Sequence, residues 1–185
     1  MKKILSAILA LCMIVSITAC SSENESSVKG SENKVMRDIT TQELIEDMGI
    51  GINLGNTFES CGNWINKSSV TNYETAWGSP VITEQMIKGY KDCGFGVMRL
   101  PVAWSNMMDK ETYTISPDYV ARVKEVLNWA LDSDLYVILN IHYDNGWFSD
   151  FADDKKRDEC FKKYEAIWKQ LCEEFGDYGD HLMFE

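Results

Sequence analysis

Leu135-Tyr136-Val137-Ile138-Leu139-Asn140-Ile141 is the stretch on which the fold turns. It is strand-length and nearly unbroken in its apolar character. That pattern suits a strand buried on both faces, since a half-exposed strand would alternate. Outward from it, helical periodicity appears on both sides. Upstream, Val120, Val123, Val126, Leu127 and Ala130 recur at helical spacing behind Ser116-Pro117, where proline fits the first helical position. Downstream, Phe161, Tyr164, Trp168, Leu171 and Phe175 recur every three or four residues and predict a long amphipathic helix.

The alternation continues toward the N-terminus. Phe95 to Val102 reads as a strand. Before it, Thr83 caps a helix whose Met86, Ile87 and Tyr90 share a face, and Gly94 ends that helix. Gly55 to Pro80 is a long loop carrying Trp64 and Trp77, and Ile50 to Leu54 is the first strand. Thr40-Thr41-Gln42-Glu43 matches a capping box for a short helix closed by Gly49. His181 to Glu185 opens a fourth strand. Strands alternating with helices mean a parallel α/β sheet, either open and doubly wound or closed into a barrel. No GxGxxG or Walker loop follows the first strand, which weakens nucleotide-binding open-sheet readings. Spacing alone leaves the two architectures open.

The ends carry their own expectations. Lys2 and Lys3 precede an almost uncharged apolar run from Ile4 to Ala19, short for a membrane span and suited to a secretory signal. The run ends Ile17-Thr18-Ala19-Cys20, which resembles a bacterial lipobox; the resemblance implies cleavage before Cys20 and lipidation of its thiol. Residues 20–36 then form the lipidated cysteine and a polar tether with too few apolar groups to fold. The domain runs from 37 to 185. From Thr40 the chain offers 146 residues, where a full barrel needs about 250. It stops inside an apolar strand, so the expectation is a truncated N-terminal half-barrel that folds poorly alone.

Composition excludes some functions. Eighteen basic against 29 acidic residues give a net charge of −11, which argues against a nucleic-acid partner. It suits a neutral polymer outside the cell, where charge aids solubility. Cys61, Cys93, Cys160 and Cys172 show no CxxC spacing, and only two histidines are present, so neither a zinc site nor another cofactor is expected. Cys160 and Cys172 lie on one predicted helix, too far apart to bond. Free, mostly buried thiols are expected.

In parallel α/β folds chemistry gathers where strands end. After strand one come Asn53, Asn56, Thr57 and Glu59. Strand two ends Arg99-Leu100-Pro101-Val102-Ala103-Trp104. Strand three ends Asn140-Ile141-His142-Tyr143-Asp144, with Trp147 just beyond. Hydrogen-bonding groups beside tryptophans suit sugars, which offer hydroxyls at the edge and C–H faces to aromatic rings.

These residues lie in blocks that resemble glycoside hydrolase family 5, most closely its bacterial endoglucanase and xyloglucanase branch. The blocks are Gly51-Ile52-Asn53-Leu54-Gly55-Asn56-Thr57, Glu74-Thr75-Ala76-Trp77-Gly78-Ser79-Pro80, Gly94-Phe95 leading to Met98-Arg99-Leu100-Pro101-Val102-Ala103-Trp104, Tyr136 to Asp144, and Asp180 to Glu185. The resemblance implies a (β/α)₈ barrel, here its first four β/α units, and an endo-acting β-1,4-glucanase without cofactor. It implies retention through two glutamates about 5 Å apart. By the family pattern both lie beyond Glu185: the acid/base in an Asn-Glu pair just after strand four, the nucleophile on strand seven. The chain as it stands is therefore expected to be inactive.

The resemblance also implies supporting roles. Arg99 looks like the arginine that hydrogen-bonds the nucleophilic carboxylate, and His142 like the histidine near the −1 sugar. Asn53, Trp64, Tyr143 and Trp147 are candidate substrate contacts, with Trp77 and Trp104 as stacking platforms or loop packing. Trp129 and Trp168 sit on helices and are expected in the core. Glu59, Glu74 and Asp144 are acidic and near the expected cleft but receive no catalytic role. Tyr143 departs from the pattern, since many relatives carry a second histidine there; this leaves substrate preference open. The partners implied are a β-glucan and, through lipid alone, a membrane, for a monomer on the outer face of a bacterial envelope. The alternative is a non-catalytic carbohydrate-binding surface lipoprotein.

Overall fold

The structure is a computed structural model that describes residues 35–185. The expected signal segment, the lipidated Cys20 and most of the tether lie outside the described residues. Among the described residues no helix is long and apolar enough to cross a membrane.

The elements follow the expected order. Helix α1 is Thr41–Met48, strand β1 Gly51–Asn53, helix α2 Thr71–Glu74, helix α3 Glu84–Asp92 and strand β2 Val97–Leu100. Helix α4 is Pro117–Asp132, strand β3 Tyr136–Leu139, helix α5 Arg157–Phe175 and strand β4 Leu182–Phe184. Short 3₁₀ segments follow β2 (Trp104–Met107) and β3 (Asp144–Ala152). The capping box forms as read: Glu43 N–H donates to Thr40 Oγ1 at 3.2 Å, and Thr40 N–H donates to Glu43 Oε2 at 2.7 Å. Pro117 occupies the first turn of α4. Gly94, at φ +90°, turns the chain out of α3. Gly96 is required sterically, because a Cβ there would lie 2.0 Å from the Met48 carbonyl oxygen.

The four strands form one parallel sheet in the order β1-β2-β3-β4. A doubly wound sheet reverses its order at a switch point. Here each strand lies beside its sequence neighbour, as in the arc of a barrel, and this decides between the two architectures. Asn53, Arg99, Ile138 and Met183 occupy one register row. Because side chains alternate, they share one face. Met98, Leu100, Val137 and Leu139 point the other way into the core, against Ile87, Val123, Leu127, Ile167, Leu171 and Phe175.

Several expectations are corrected by packing. The Gly55–Pro80 loop contains α2, whose Glu74 is fully buried. It accepts from Arg122 Nε at 2.8 Å, Arg122 Nη2 at 3.0 Å and Ile82 N–H at 2.9 Å, tying the loop to α4. Trp104 is completely buried, donates to the Asn140 carbonyl and packs edge-on against Tyr119 at 6.0 Å, so it is core and not a platform. The apolar stripe of α5 splits between two partners. Ile167, Leu171 and Phe175 enter the core, whereas Phe161 and Tyr164 stay exposed and pack on Phe148 and Phe151 of the second 3₁₀ segment. Trp129 and Trp168 pack against the core but remain partly exposed. The four described cysteines are free, yet only Cys61 and Cys160 are buried; Cys93 and Cys172 are exposed. At the N-terminal ends of the strands, Arg37 bonds Asp180, Asp47 and the Tyr136 hydroxyl, and Tyr136 stacks on His181 at 4.3 Å.

Candidate active site

The opposite rim of the sheet, at the C-terminal strand ends, carries the chemistry. Arg99 is its centre. Its Nε and Nη2 each donate at 2.7 Å to the two carboxylate oxygens of Glu185, just beyond β4. Such a fork-to-fork pair fixes guanidinium direction as well as charge. Nη1 lies 3.5 Å from Asn53 Oδ1, and Nη2 lies 3.5 Å from His142 Nδ1. The ends of β1, β2 and β4 and the loop after β3 thus meet around one guanidinium. The mutual bonds raise the Arg99 pKa and hold Glu185 below the usual carboxylate range, more than offsetting the opposing effect of burial.

Asn140 fastens this arrangement. Its Oδ1 accepts from Val102 N–H at 3.3 Å, and its Nδ2 sits 3.3 Å from His142 Nδ1. Two donors, Asn140 Nδ2 and Arg99 Nη2, converge on Nδ1. In the neutral ring this geometry suits Nδ1 as the acceptor, with the proton on Nε2. The ring also follows a backbone bond from His142 N–H to the Val102 carbonyl at 2.9 Å.

The nearby acids are committed elsewhere. Glu59 accepts from the Asn56 and Thr57 N–H groups and shapes the loop after β1. Asp144 is fully buried and accepts from Ser105 N–H at 3.0 Å and Trp147 Nε1 at 2.7 Å; burial pushes its pKa up against those bonds. Glu74 is held by Arg122. None of the three is a free carboxylate facing Arg99.

The expected sugar contacts divide. Trp64 and Tyr143 are 69% and 61% exposed, open for a ligand. Trp77 is partly exposed on the same long loop. Trp147 is engaged in loop packing: its ring stacks on Phe148 at 4.1 Å, Lys163 Nζ lies 4.3 Å from its centroid, and its N–H goes to Asp144. Asn53 and His142 lie beside Arg99 as the strand ends predicted.

Reading the strand ends singled out neither Glu185 nor Asn140 as site residues. For Glu185 the signal was period two: it lies two residues after Met183, which shares a row with Arg99, so it falls on the same face. Arg99 was expected to serve the nucleophilic carboxylate, whereas here its fork is filled by Glu185.

Comparison with known proteins agrees with this geometry. Residues 58–185 match the family described as Cellulase (glycosyl hydrolase family 5). Endoglucanase A of Ruminococcus albus is 42% identical over 151 residues, covering 81% of this chain and 40% of that protein. A xyloglucan-specific endo-β-1,4-glucanase of Bacteroides ovatus is 40% identical over 156 residues, covering 83% and 30%. The solved structure of a broad-specificity endoglucanase from Ruminococcus champanellensis with bound cellotriose superposes with a TM-score of 0.74 at 38% identity, over 80% of this chain and 43% of that one. The chain thus spans two fifths or less of the length of these two curated relatives.

Proposed function

We infer the function from one premise: the chain belongs to glycosyl hydrolase family 5, the cellulase family. The protein to which these residues belong is an endo-acting β-glucan hydrolase, cutting β-1,4-glucan such as cellulose or xyloglucan with retention of configuration. The observation that carries this reading is the convergence of Arg99, Asn53, His142 and Glu185 at the C-terminal strand ends. A cationic fork there stabilises carboxylates in their ionised form, as a glycosidase nucleophile requires. The His142 Nε2–H and Asn53 supply hydrogen bonds to sugar hydroxyls, and Trp64 and Tyr143 offer exposed aromatic faces.

From the family pattern we further propose that the acid/base and nucleophilic glutamates lie outside these 185 residues; that Glu59, Asp144 and Glu74 each serve another group supports this placement. On that reading the 185 residues alone do not turn over substrate. Glu185 acts as a positioning residue for Arg99. The N-terminal lipobox-like sequence supports export and lipid anchoring at the outer face of a bacterial envelope.

The test is hydrolysis of xyloglucan and a mixed-linkage β-glucan by the full-length protein, with the product anomer followed by NMR. Initial release of the β-anomer with strong loss in Arg99→Met and His142→Ala is expected. Initial α-anomer, or binding without cleavage, overturns the reading; the second outcome favours a carbohydrate-binding lipoprotein.

A further inference from the structure

A second concavity lies beside the strand-end cluster, between the long loop after β1, the segments that follow β2 and β3, and the start of α5. Its volume is about 510 Å³, within the range of small-ligand clefts. Its wall is unusual for this chain. The whole sequence carries a net charge of −11, yet five lysines line this cleft against two acids, Asp150 and Glu159.

Both acids are already engaged. Asp150 pairs with Lys156 at 2.9 Å. Glu159 accepts from the Tyr113 hydroxyl and pairs with Lys162 at 3.2 Å. The remaining lining lysines, Lys67, Lys110, Lys155 and Lys163, make no ion pair with any described residue. Lys163 is the informative one. It is half-buried, donates to the Ser105 hydroxyl at 3.0 Å and lies over the Trp147 ring at 4.3 Å. Its ammonium has lost part of its water and has a neutral hydroxyl and a ring as partners. Burial accordingly lowers its pKa, with buried Asp144 opposing that effect from a distance. Clustered like charges in one concavity repel each other, and an anion placed among them relieves that repulsion.

We propose that this cleft is an accessory binding site for the carboxylate of a uronic-acid sugar borne on the polysaccharide. The inference rests on the glycan-hydrolase reading for the sugar, and on the lysine wall for the charge. The cleft shares Asn145 and Trp147 with the loop that carries His142 and Tyr143. A branched chain lying across the strand ends therefore has its side group within reach.

The test is calorimetric titration of the full-length protein with three probes: a xyloglucan oligosaccharide bearing one uronic-acid branch, the same oligosaccharide without that acid, and inorganic phosphate. The acidic branch is expected to tighten binding about tenfold, the worth of one charge-assisted hydrogen bond. High salt should erode that gain, and phosphate should bind far more weakly. The exposed pair Lys110→Gln/Lys155→Gln should remove the preference while leaving cleavage of uncharged β-glucan unchanged. Lys163→Gln provides a second variant, with its thermal transition checking the fold. Equal binding of the oligosaccharides with and without the acid overturns the proposal, as does a preference that survives the lysine substitutions. Phosphate binding as tightly as the acidic oligosaccharide also overturns it, because the site would then be a general anion site. Failure to cleave neutral β-glucan would strike the hydrolase reading alone, since the titration reports binding without turnover.

Discussion

Replacing Glu185 with glutamine in the full-length protein separates holding a shape from holding a catalytic group. The Arg99–Glu185 pair sits at a rim, with side-chain exposures of 26% and 52%. At that exposure solvent and salt screen the attraction, and the pair contributes at most about 1 kcal/mol to folding. Its directional effect is larger. Glutamine keeps one acceptor and loses the other, and its amide N–H₂ opposes an arginine donor. The remaining Arg99 contacts, to Asn53 and His142, are both 3.5 Å and too long to hold the guanidinium in place. A shift of about 1 Å at an active site costs on the order of 10²-fold in rate. The expected result for Glu185→Gln is thus a kcat lower by about 10²-fold, a nearly unchanged KM and a urea midpoint close to the parent's. Arg99→Lys should behave similarly, because lysine keeps the charge and loses the fork. The pH profile gives a second readout. Glu185 has a depressed pKa in the folded state, mainly through its bonds from Arg99. The pair's contribution is therefore complete above the ordinary glutamate pKa and is lost as pH falls through the lower folded value. That pair-dependent loss at acid pH should be absent in Glu185→Gln, while the acid limb set by ionisation of the nucleophile remains. Initial rates across pH, run beside urea denaturation, decide the matter. A kcat within about twofold of the parent would refute the positioning role, and so would a large loss of stability with kcat intact.

Three further outcomes follow from the packing. Glu74→Gln should lower folding stability by about 3 kcal/mol, because it removes the negative charge facing half-buried Arg122 and one of the two oxygens that together accept three hydrogen bonds; urea denaturation with an unchanged slope checks this, and a loss under about 1 kcal/mol would mean the loop does not rest on this pair. Arg37→Ala should cost about 1 kcal/mol after solvent screening, since it unties Asp47, Tyr136 and Asp180 at the other end of the sheet; an unchanged urea midpoint would contradict it. In the folded protein Cys93 and Cys172 should label quickly with a maleimide, while Cys61 and Cys160, whose thiol pKa values burial raises, should label only on unfolding; peptide mass spectrometry distinguishes them.

The limits of reading this chain from sequence follow from which interactions are local. Helix ends were legible because Thr40 caps Glu43 three residues away and Pro117 sets its own φ. Strands were legible because Leu135 to Ile141 is apolar on both faces. The closed-barrel arc was not legible from spacing, because strand order depends on which edges pair, and that emerges only with the register Asn53–Arg99–Ile138–Met183. The α5 stripe showed the same limit: one apolar periodicity served two surfaces, the core for Ile167 and Leu171, and the 3₁₀ segment for Phe161 and Tyr164. At the candidate site, the meeting of Arg99, His142 and Asn53 was legible because all three stand at or just beyond C-terminal strand ends. Glu185 and Asn140 were not singled out, because what marks them is their bonds to Arg99 and to Val102 and His142, which only the folded structure shows. Glu185 stands 86 residues from the arginine it holds. Glu59, Glu74 and Asp144, the acids near the cleft that received no catalytic role, spend their oxygens on nearby N–H groups or on Arg122. A carboxylate's role is set by which donors reach it first. For Glu59 those donors are two and three residues away, whereas for Glu185 the decisive donor, Arg99, stands 86 residues away, so only the assembled sheet shows which acid Arg99 holds.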